Sequence, residues 1–397
     1  MLQRRYTRIG VIASLAVLTI ALFVIPGRAD KMRPEIDVPY EPTHPSVVKA
    51  MLRLAGVGKG DVHYDLGCGD GRIVVTAVAE LGAAGAVGID LDPQRLKEAT
   101  ENAKAAGVLD KIRYVQGNIM EVDASPATTV SMYLLDSVNL MVRPKLFQEL
   151  QPGSRCVAHA FHMHDWKQDK IIQHPKARNN RISFWIIPAH MGGTWKWSTN
   201  VAGSSVQNSM NLSQTFQNVQ GTIFSEGRPG GAIQNPYVYG KDFSFTGNIN
   251  AKGQAVRVSY KGIVEGDTVR GTQEWSNGQK YPWIARRDNT TALGTWELNV
   301  NGPVNLTGTL TLQRKGRKLA ASYYVKNEGR DERLRDVYVW GNSVYFRLPM
   351  YGSRERLAIF KGDLNGAAGS GRMAVITYDE DGPFDFNYAY TWTARKK

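Results

Sequence analysis

Short apolar runs alternate with segments of helical periodicity along residues 38–188. Six runs rich in apolar and β-branched residues predict strands: 62–66, 86–89, 112–116, 130–135, 155–161 and 182–187. Apolar positions at helical spacing predict helices over residues 46–54, 72–81 and 94–106. Because strands that alternate with helices are typical of a parallel sheet covered on both faces, this region is expected to form an α/β domain.

Residues 190–397 show a different pattern, in which short β runs are separated by Gly, Asn and Asp without any helical period. The pattern also repeats. Gly-Thr-Trp at 193–195 returns at 294–296, and the Trp-containing run at 281–286 returns at 390–395. The shift between matching segments is 100–109 residues, which predicts two tandem all-β modules.

The two predicted β modules span residues 190–288 and 292–397. Each opens with Gly-x-Trp and closes with an aromatic strand ending in Ala-Arg, a combination that resembles lipocalin-like small barrels. The tryptophans of the repeated segments are expected to form the barrel cores: Trp195, Trp283, Trp296 and Trp392.

The second module carries two basic clusters: Arg314, Lys315, Arg317 and Lys318, then Arg330, Arg333 and Arg335. They are interpreted as a solvated face. The alternative is a docking surface for an anionic partner, such as acidic lipid, an envelope polymer or an acidic protein. No motif for sequence-specific nucleic-acid recognition is present in the sequence.

The amino-terminal segment has the pattern of a targeting sequence. Three arginines precede an uncharged run at residues 9–25, and small residues at positions 27 and 29 fit a cleavage after Ala29. Residues 1–30 are therefore expected to be a signal peptide or an uncleaved anchor, which makes the protein membrane-associated or exported to the cell envelope. Basic residues flank the run on both sides, so the side of the membrane stays open.

The most informative motif, Asp-Leu-Gly-Cys-Gly-Asp-Gly at residues 65–71, ends a predicted strand and opens a predicted helix. Its glycines allow a tight turn and a close approach of a ligand to the main chain. Asp90 ends the next strand, where a carboxylate can accept hydrogen bonds from both ribose hydroxyls of a nucleoside. Two carboxylates within the loop disfavour a pyrophosphate and favour a ligand with an ammonium group, such as S-adenosylmethionine.

The motif and Asp90 resemble motif I and the following acidic residue of class I S-adenosylmethionine-dependent methyltransferases. Residues 39–43, 133–137 and 143–166 further resemble a bacterial subfamily, similar to the mitochondrial lysine methyltransferases that modify the adenine nucleotide translocase and the ATP-synthase c-subunit. The resemblance covers residues 38–188. It implies a Rossmann-like sheet, S-adenosylmethionine as cofactor, and a protein lysine as methyl acceptor.

The resemblance also assigns the cofactor contacts around the glycine loop. Gly67, Cys68 and Gly69 would line the cofactor, with Cys68 as a small loop residue and not a nucleophile. Asp65 would help hold the amino-acid end, and Asp90 would bind the ribose.

Further contacts follow from the flanking segments. Asn118 and Ile119 would flank the adenine, while Tyr40 and Thr43 would close over the methionine end. The sequence departs from the family pattern at Glu41, where a small or apolar residue is expected, and at Asn118, where many relatives have Asp. The first departure bears on substrate access and the second on adenine contacts.

Candidate acceptor residues lie at the end of the fourth predicted strand, where α/β sheets place their ligands. A lysine nucleophile must be neutral, so desolvation or a nearby base helps. Asp136 and Tyr133 are the candidates for positioning it, with Ser137 beside them; alternatively, Asp136 is a capping or solvated loop carboxylate. The sulfonium methyl is already activated, so the transfer requires no metal.

A cluster of histidines follows on the fifth predicted strand. Strand periodicity would place Cys156, His162 and His164 on one face and His159 on the other, which leaves a zinc site open as an alternative. The favoured interpretation is that these histidines line the substrate mouth or face solvent, with no metal.

Composition and charge narrow the class of protein. A chain with 42% hydrophobic and 21% charged residues is globular, and two cysteines cannot make a disulfide scaffold or a four-cysteine zinc site. The net charge of +13 divides into +5 (6 − 1) over residues 1–33, −1 (17 − 18) over 34–189 and +9 (26 − 17) over 190–397. This asymmetry favours modules with separate functions.

The leading hypothesis is therefore a protein-lysine methyltransferase whose β modules target or position it on a membrane or anionic envelope surface. A small-molecule or lipid acceptor is the alternative among enzymes. An exported binding or scaffold protein without catalysis is the alternative from a different class.

Overall fold

The computed structural model describes residues 40–397, apart from 165, 202, 252, 289–291, 303–305, 316–317, 335–336, 351–355 and 378–388. Three sheets of seven, nine and nine strands follow one another along the chain, within the compact unit Val38–Lys397. The predicted targeting segment, residues 1–30, lies outside the described residues. In the described part, no helix has the length and apolar character needed to cross a membrane.

The first sheet is the predicted α/β sheet. Its strands are β1 (Val62–Leu66), β2 (Gly85–Asp90), β3 (Ile112–Gln116), β4 (Thr129–Met132), β5 (Arg155–His159), β6 (Lys170–Ile172) and β7 (Ile182–Ile186). Its helices are α1 (Pro45–Leu54), α2 (Arg72–Ala79), α3 (Pro93–Ala105) and α4 (Asp136–Glu149). The strand order is β3-β2-β1-β4-β5-β7-β6, in which β1–β5 pair in parallel and β7 is antiparallel to both neighbours. The carboxyl ends of β1, β2, β4 and β5 therefore share one edge.

The structure corrects the predictions at this edge. Helix α4 was not predicted, because it contains Pro144 and buries Arg143 and Lys145, so it lacks an amphipathic pattern. Strand β4 ends at Met132, three residues early. Strand β5 ends two residues early because the backbone turns left-handed at Ala160, with φ 66°.

Both β modules are antiparallel sheets that coil into nearly closed barrels. The first contains β8 (Gly193–Val201), β9 (Ser204–Thr215), β10 (Asn218–Ser225), β11 (Arg228–Ala232), β12 (Gln234–Tyr239), β13 (Asp242–Ala251), β14 (Gln254–Glu265), β15 (Thr268–Trp275) and β16 (Lys280–Arg287). Its strand order is β11-β10-β9-β8-β16-β15-β14-β13-β12, and β10 and β11 at one edge approach β12 and β13 at the other.

The second barrel repeats this order with β17 (Gly294–Asn301), β18 (Gly308–Lys315), β19 (Lys318–Val325), β20 (Arg330–Leu334), β21 (Val337–Trp340), β22 (Ser343–Met350), β23 (Arg356–Asn365), β24 (Ala368–Thr377) and β25 (Tyr390–Lys396). The repeated glycines mark close approaches between strands. A Cβ atom at Gly271 would lie 2.0 Å from the Lys261 carbonyl oxygen, and one at Gly371 would lie 2.1 Å from that of Lys361. Only glycine permits this approach.

The tryptophans predicted to form the barrel cores are all at most 1% exposed: Trp195, Trp283, Trp296 and Trp392. Of the basic clusters, Arg330 pairs with Glu328 and Glu332, and Arg333 is exposed. Arg317 and Arg335 lie outside the described residues, as do the side chains of Arg314, Lys315 and Lys318.

The first barrel packs against the α/β domain through the β9–β10 turn. The Phe216 ring stacks on Trp166 with ring centroids 4.8 Å apart and lies 5.7 Å from Phe147 of α4. The Arg143 guanidinium also lies 5.0 Å from the Phe216 ring. The second half of α4 and the turn that contains Trp166 are thus in contact with a residue from the β module.

Candidate active site

The glycine loop lies between β1 and α2 and has the conformation that its sequence demands. Gly67, Gly69 and Gly71 have φ values of 78°, 52° and 75°, a left-handed region that favours glycine. A Cβ at Gly69 would lie 2.6 Å from the Tyr40 ring, and one at Gly67 would lie 2.9 Å from Leu134. The loop therefore presents bare backbone between residues from two other segments.

Asp90, at the end of β2, is tied to this loop. Its Oδ2 accepts a hydrogen bond from the Gly69 backbone N–H at 2.8 Å, and its Oδ1 accepts one from Asp92 N–H at 3.0 Å. The two bonds fix the carboxylate orientation. The loop and the second strand end thus form one surface.

Asp65 is 1% exposed at the end of β1. Its Oδ1 accepts a 2.6 Å hydrogen bond from the Ser131 hydroxyl on β4, while Oδ2 has no hydrogen-bond partner among the described residues. Burial raises the pKa of Asp65 to about 7. Buried carboxylate oxygens rarely stay unpaired, so this atom points to a cationic or hydrogen-bond-donating ligand.

A buried chain of hydrogen bonds between β1 and β4 holds the Asp65 carboxyl group in place. The two ring nitrogens of His63 lie 2.9 Å from Thr129 Oγ1 and 2.8 Å from Ser131 Oγ. Burial lowers the pKa of His63 to about 3, so the ring is neutral. Since Ser131 donates to Asp65, it accepts from His63, and this chain of hydrogen bonds fixes the Asp65 carboxyl group.

Asp70 does not serve the ligand in the way the sequence suggested. Arg72 donates to both Asp70 oxygens, including a 2.9 Å bond from Nε to Oδ1, and also donates to the Thr43 carbonyl at 2.9 Å. Burial raises the pKa of Asp70, but the Arg72 hydrogen bonds and charge outweigh it and hold that pKa below its usual value. Asp70 and Arg72 therefore anchor residues 40–43 to the loop, and the unpaired Oδ2 of Asp65 is the loop oxygen that points to an ammonium group.

The other predicted cofactor residues surround the loop. Cys68 is 5% exposed, and burial raises the pKa of its thiol, so it is unsuited to act as a nucleophile. Asn118 and Ile119 are half-buried just after β3, where Gly117 N–H donates to the Asp90 carbonyl at 3.0 Å. Asn118 Oδ1 accepts from Met120 N–H at 2.9 Å, which shapes this turn.

Tyr40 and Thr43 lie on the opposite wall. The Tyr40 ring covers Gly69, and the Arg95 guanidinium lies 4.5 Å from the centroid of that ring. Thr43 is buried, and its hydroxyl lies 3.1 Å from His159 Nδ1. Residues 40–43 thus bridge the glycine loop and the end of β5.

His159 holds this bridge in one protonation state. Its Nε2 accepts a 2.9 Å hydrogen bond from Arg178 N–H, so Nδ1 carries the proton and donates to Thr43. Burial lowers the pKa of His159 to about 4. Arg178 in turn pairs with Glu41 at 2.5 Å. A closed ring of contacts therefore lies beside the end of β5 and forms the mouth of the candidate site: Glu41, Thr43, His159 and Arg178.

The acceptor candidates lie beside this ring of contacts. The Tyr133 ring is 4.0 Å from His159 and 6.0 Å from Phe161, measured between centroids. Asp136 is the first residue of α4, and its Oδ1 accepts the His162 backbone N–H at 2.9 Å. Ser137 follows on the first turn, half-buried.

The proposed grouping of Cys156 with His162 and His164 is wrong. Cys156 is fully buried in the sheet, whereas both histidines lie beyond the end of β5 on a turn where strand periodicity does not apply. The structure instead brings His162 and His164 to Asp136.

Sequence reasoning missed Ser131, Arg72 and Arg178. Ser131 had a detectable pattern, since it is a polar residue within an apolar strand, and parallel pairing sets it opposite Asp65. Arg178 had none, because it reaches the site from a loop 137 residues beyond its partner Glu41.

Comparisons with known proteins agree with this geometry. The model of the ANTKMT methyltransferase domain matches residues 65–170. A protein-lysine N-methyltransferase of Saccharolobus islandicus is 42% identical over 154 residues, covering 38% of this chain and 96% of the relative. The chain belongs to this methyltransferase family. It is an S-adenosylmethionine-dependent methyltransferase.

Two further relatives extend the comparison. The adenine nucleotide translocase lysine N-methyltransferase of Mus musculus is 31% identical to this methyltransferase over 183 residues, covering 46% of this chain and 76% of the relative. A crystal structure of an RNA methyltransferase from Salinibacter ruber with S-adenosyl-L-homocysteine is 45% identical, covering 38% of this chain and 96% of that one, with a TM-score of 0.37.

Proposed function

We propose that this methyltransferase transfers a methyl group from S-adenosylmethionine to the side-chain nitrogen of a protein lysine. The observation that carries the proposal is the acidic and aromatic mouth next to the glycine loop. Tyr133 stacks with Phe161 there, and Asp136 begins α4. The wall already holds one cationic side chain, since Arg178 pairs with Glu41 and its guanidinium lies 5.7 Å from the Phe161 ring centroid. Aromatic faces and carboxylates are the groups that attract a cationic side chain.

The residues present fit the cofactor. The buried Oδ2 of Asp65 would accept from the ammonium group of the methionine moiety, and Asp90 would accept from the ribose hydroxyls. Gly67, Cys68 and Gly69 would give the cofactor access to bare backbone, and Asn118 and Ile119 would flank the adenine. Tyr40 and Thr43 would cover the methionine end.

S-adenosylmethionine supplies a sulfonium-activated methyl group, so the task of the chain is to align and deprotonate the acceptor. Asp136 would orient the lysine nitrogen and receive hydrogen bonds from it. Tyr133 and Phe161 would exclude water, and desolvation favours the neutral amine over the ammonium ion. The Leu134 side chain lies next to Gly67 of the glycine loop, so the residue that follows Tyr133 is in contact with the proposed cofactor site.

A methyl-transfer assay tests the acceptor class. The full chain is incubated with S-adenosylmethionine labelled in the methyl group and a bacterial extract, and the label is separated into protein, lipid and small-molecule fractions. We expect label in protein, recovered as methyllysine after hydrolysis, and much less of it with the Asp90→Ala variant at a low S-adenosylmethionine concentration. Label confined to lipid or small molecules would replace lysine with those acceptors; no label at all would favour a non-catalytic scaffold.

We also propose that residues 1–30 associate the enzyme with the membrane or direct it to the envelope, and that the two lipocalin-like barrels position it on an anionic surface. The excess of 26 basic over 17 acidic residues in residues 190–397 supports this. Protease added to intact cells tests the location, since digestion of the β modules from outside would exclude a cytoplasmic orientation.

A further inference from the structure

The segment that follows β5 brings together three metal-ligating side chains that the methyl transfer does not use as a set. Asp136 lies at the start of α4, while His162 and His164 lie on the turn after β5. One potential ligand atom from each lies within 4.8 Å of the other two. The ring centroids of the two histidines are 4.7 Å apart at 89°, so their edges converge and do not stack.

The ligand set has a chemistry of its own. Two imidazole nitrogens and one carboxylate oxygen suit Zn²⁺ and neighbouring transition metals better than Mg²⁺ or Ca²⁺, which prefer oxygen alone. Three protein ligands leave a fourth tetrahedral position for water or another small ligand. Ligand atoms around Zn²⁺ lie about 3.4 Å apart, so modest rotation of the half-exposed side chains completes the geometry.

The turn that carries the histidines is firmly supported from behind. Met163 and Trp166 are fully buried, and Arg143 donates a 2.8 Å hydrogen bond to the Met163 carbonyl. Phe216 of the first barrel stacks on Trp166 and lies 5.0 Å from the Arg143 guanidinium. Buried residues thus hold the backbone of the turn, while the His162 and His164 side chains are half-buried, the arrangement expected of a pre-organised site.

The present hydrogen bonds are compatible with a metal ion. Asp136 uses Oδ1 to accept the His162 backbone N–H at 2.9 Å, and a carboxylate has a second oxygen for a metal. The His162 Nδ1 accepts a 3.3 Å hydrogen bond from the His164 backbone and lies 3.5 Å from Asp136 Oδ1, so a metal–nitrogen bond would replace a long hydrogen bond without large loss.

We propose that Asp136, His162 and His164 bind one divalent transition-metal ion of the Zn²⁺ type at the acceptor side of the site. If Asp136 also orients the acceptor lysine, which rests on the function proposed above, the metal and the acceptor compete for its carboxylate. The ion would then act as an inhibitor of methyl transfer.

Co²⁺ titration of the full chain tests the site, because Co²⁺ replaces Zn²⁺ in such sites and absorbs visible light. We expect one Co²⁺ per chain with micromolar affinity, displaced by Zn²⁺. Affinity should fall at least tenfold in His162→Ala and in His164→Ala, and stay unchanged in the matched control His174→Ala. Thermal unfolding of each variant confirms that it is folded.

The metal site would be overturned if the folded chain bound no Co²⁺. It would also be overturned if His162→Ala and His164→Ala both bound Co²⁺ as tightly as the wild type. Metal binding and methyl transfer are measured separately. Binding without inhibition would leave the site in place and instead contradict the assignment of Asp136 to the acceptor.

Discussion

The cofactor side of this active site comes mostly from one stretch of chain, whereas the acceptor side is assembled from distant segments. Residues 65–71 end β1 and form the loop that follows it, and the Gly69 N–H joins this loop to Asp90 at the end of the adjacent strand β2. The acceptor side combines Glu41, Tyr133 and Arg178, and a ring from the β module supports it. We therefore expect cofactor binding to depend on the α/β sheet, and acceptor geometry to depend also on the first β module.

The largest expected effect is on the cofactor side. Asp90→Ala removes the carboxylate proposed for the ribose and the acceptor of the Gly69 N–H, so cofactor binding should weaken by about 1–3 kcal/mol. Equilibrium dialysis with S-adenosylhomocysteine measures the loss. Asp92→Ala is the matched control, because that neighbouring carboxylate caps α3 and pairs with Arg95 but has no proposed contact with the cofactor. Equal affinity in wild type and Asp90→Ala would refute the ribose assignment.

Asp65 should make cofactor binding depend on pH. Because burial raises its pKa to about 7, the free protein loses stability as the pH rises from about 4 to about 7. A bound ammonium group favours the carboxylate, so affinity should rise several-fold from about pH 6 to about pH 7.5, with release of a proton.

Calorimetry in two buffers of different ionisation enthalpy measures this proton release. Asp65→Asn should bind more weakly and show a flat dependence over the same range. Affinity that falls with rising pH in the wild type would contradict the role given to Asp65.

On the acceptor side, Phe216→Ala should lower kcat/KM for the acceptor and leave cofactor affinity unchanged. The ring contacts Trp166 and Arg143, which hold the turn behind Asp136, and aromatic contacts of this kind contribute about 1 kcal/mol beyond burial. Steady-state kinetics with varied acceptor concentration measure kcat/KM, and a separate titration measures cofactor affinity. Asn218→Ala, an exposed change in the same hairpin, serves as control; a loss of cofactor binding in Phe216→Ala would erase the distinction between the two sides.

The smallest effect is expected at the exposed pair of Glu41 and Arg178, whose side chains are both 52% exposed. Glu41→Gln should raise the acceptor KM two- to threefold, about 0.5 kcal/mol, and more at low salt than at high salt. Glu80→Gln breaks an exposed pair between Lys49 of α1 and the residue that follows α2, and is the matched control. An acceptor KM that changes neither in Glu41→Gln nor with salt would contradict the placement of Glu41 at the mouth of the site.

The same comparison explains what the sequence could predict. Strands, the glycine loop and Asp90 follow from local patterns, and the two barrels follow from the repeat. Helix α4 could not be predicted, because it buries two basic residues: Arg143 donates to the distant Met163 carbonyl, and Lys145 pairs with Glu149 one turn along the helix. The histidines beyond β5 were misassigned because a left-handed residue, Ala160, ends the strand without a glycine or proline to mark it.

The pairing of Arg72 with Asp70 is a local contact that the sequence could not predict. Asp70 suggested a second site for the ammonium group, but the ion pair between the two residues is visible only in three dimensions. Contacts between neighbouring residues are therefore predicted less well than the fold that contains them.

Calorimetric titration of the full chain with S-adenosylhomocysteine tests the central claim most directly, namely that the glycine loop with Asp65 and Asp90 forms a working cofactor site. The account predicts one molecule bound per chain with micromolar affinity, in wild type and Phe216→Ala alike. A folded chain that binds no S-adenosylhomocysteine would contradict it.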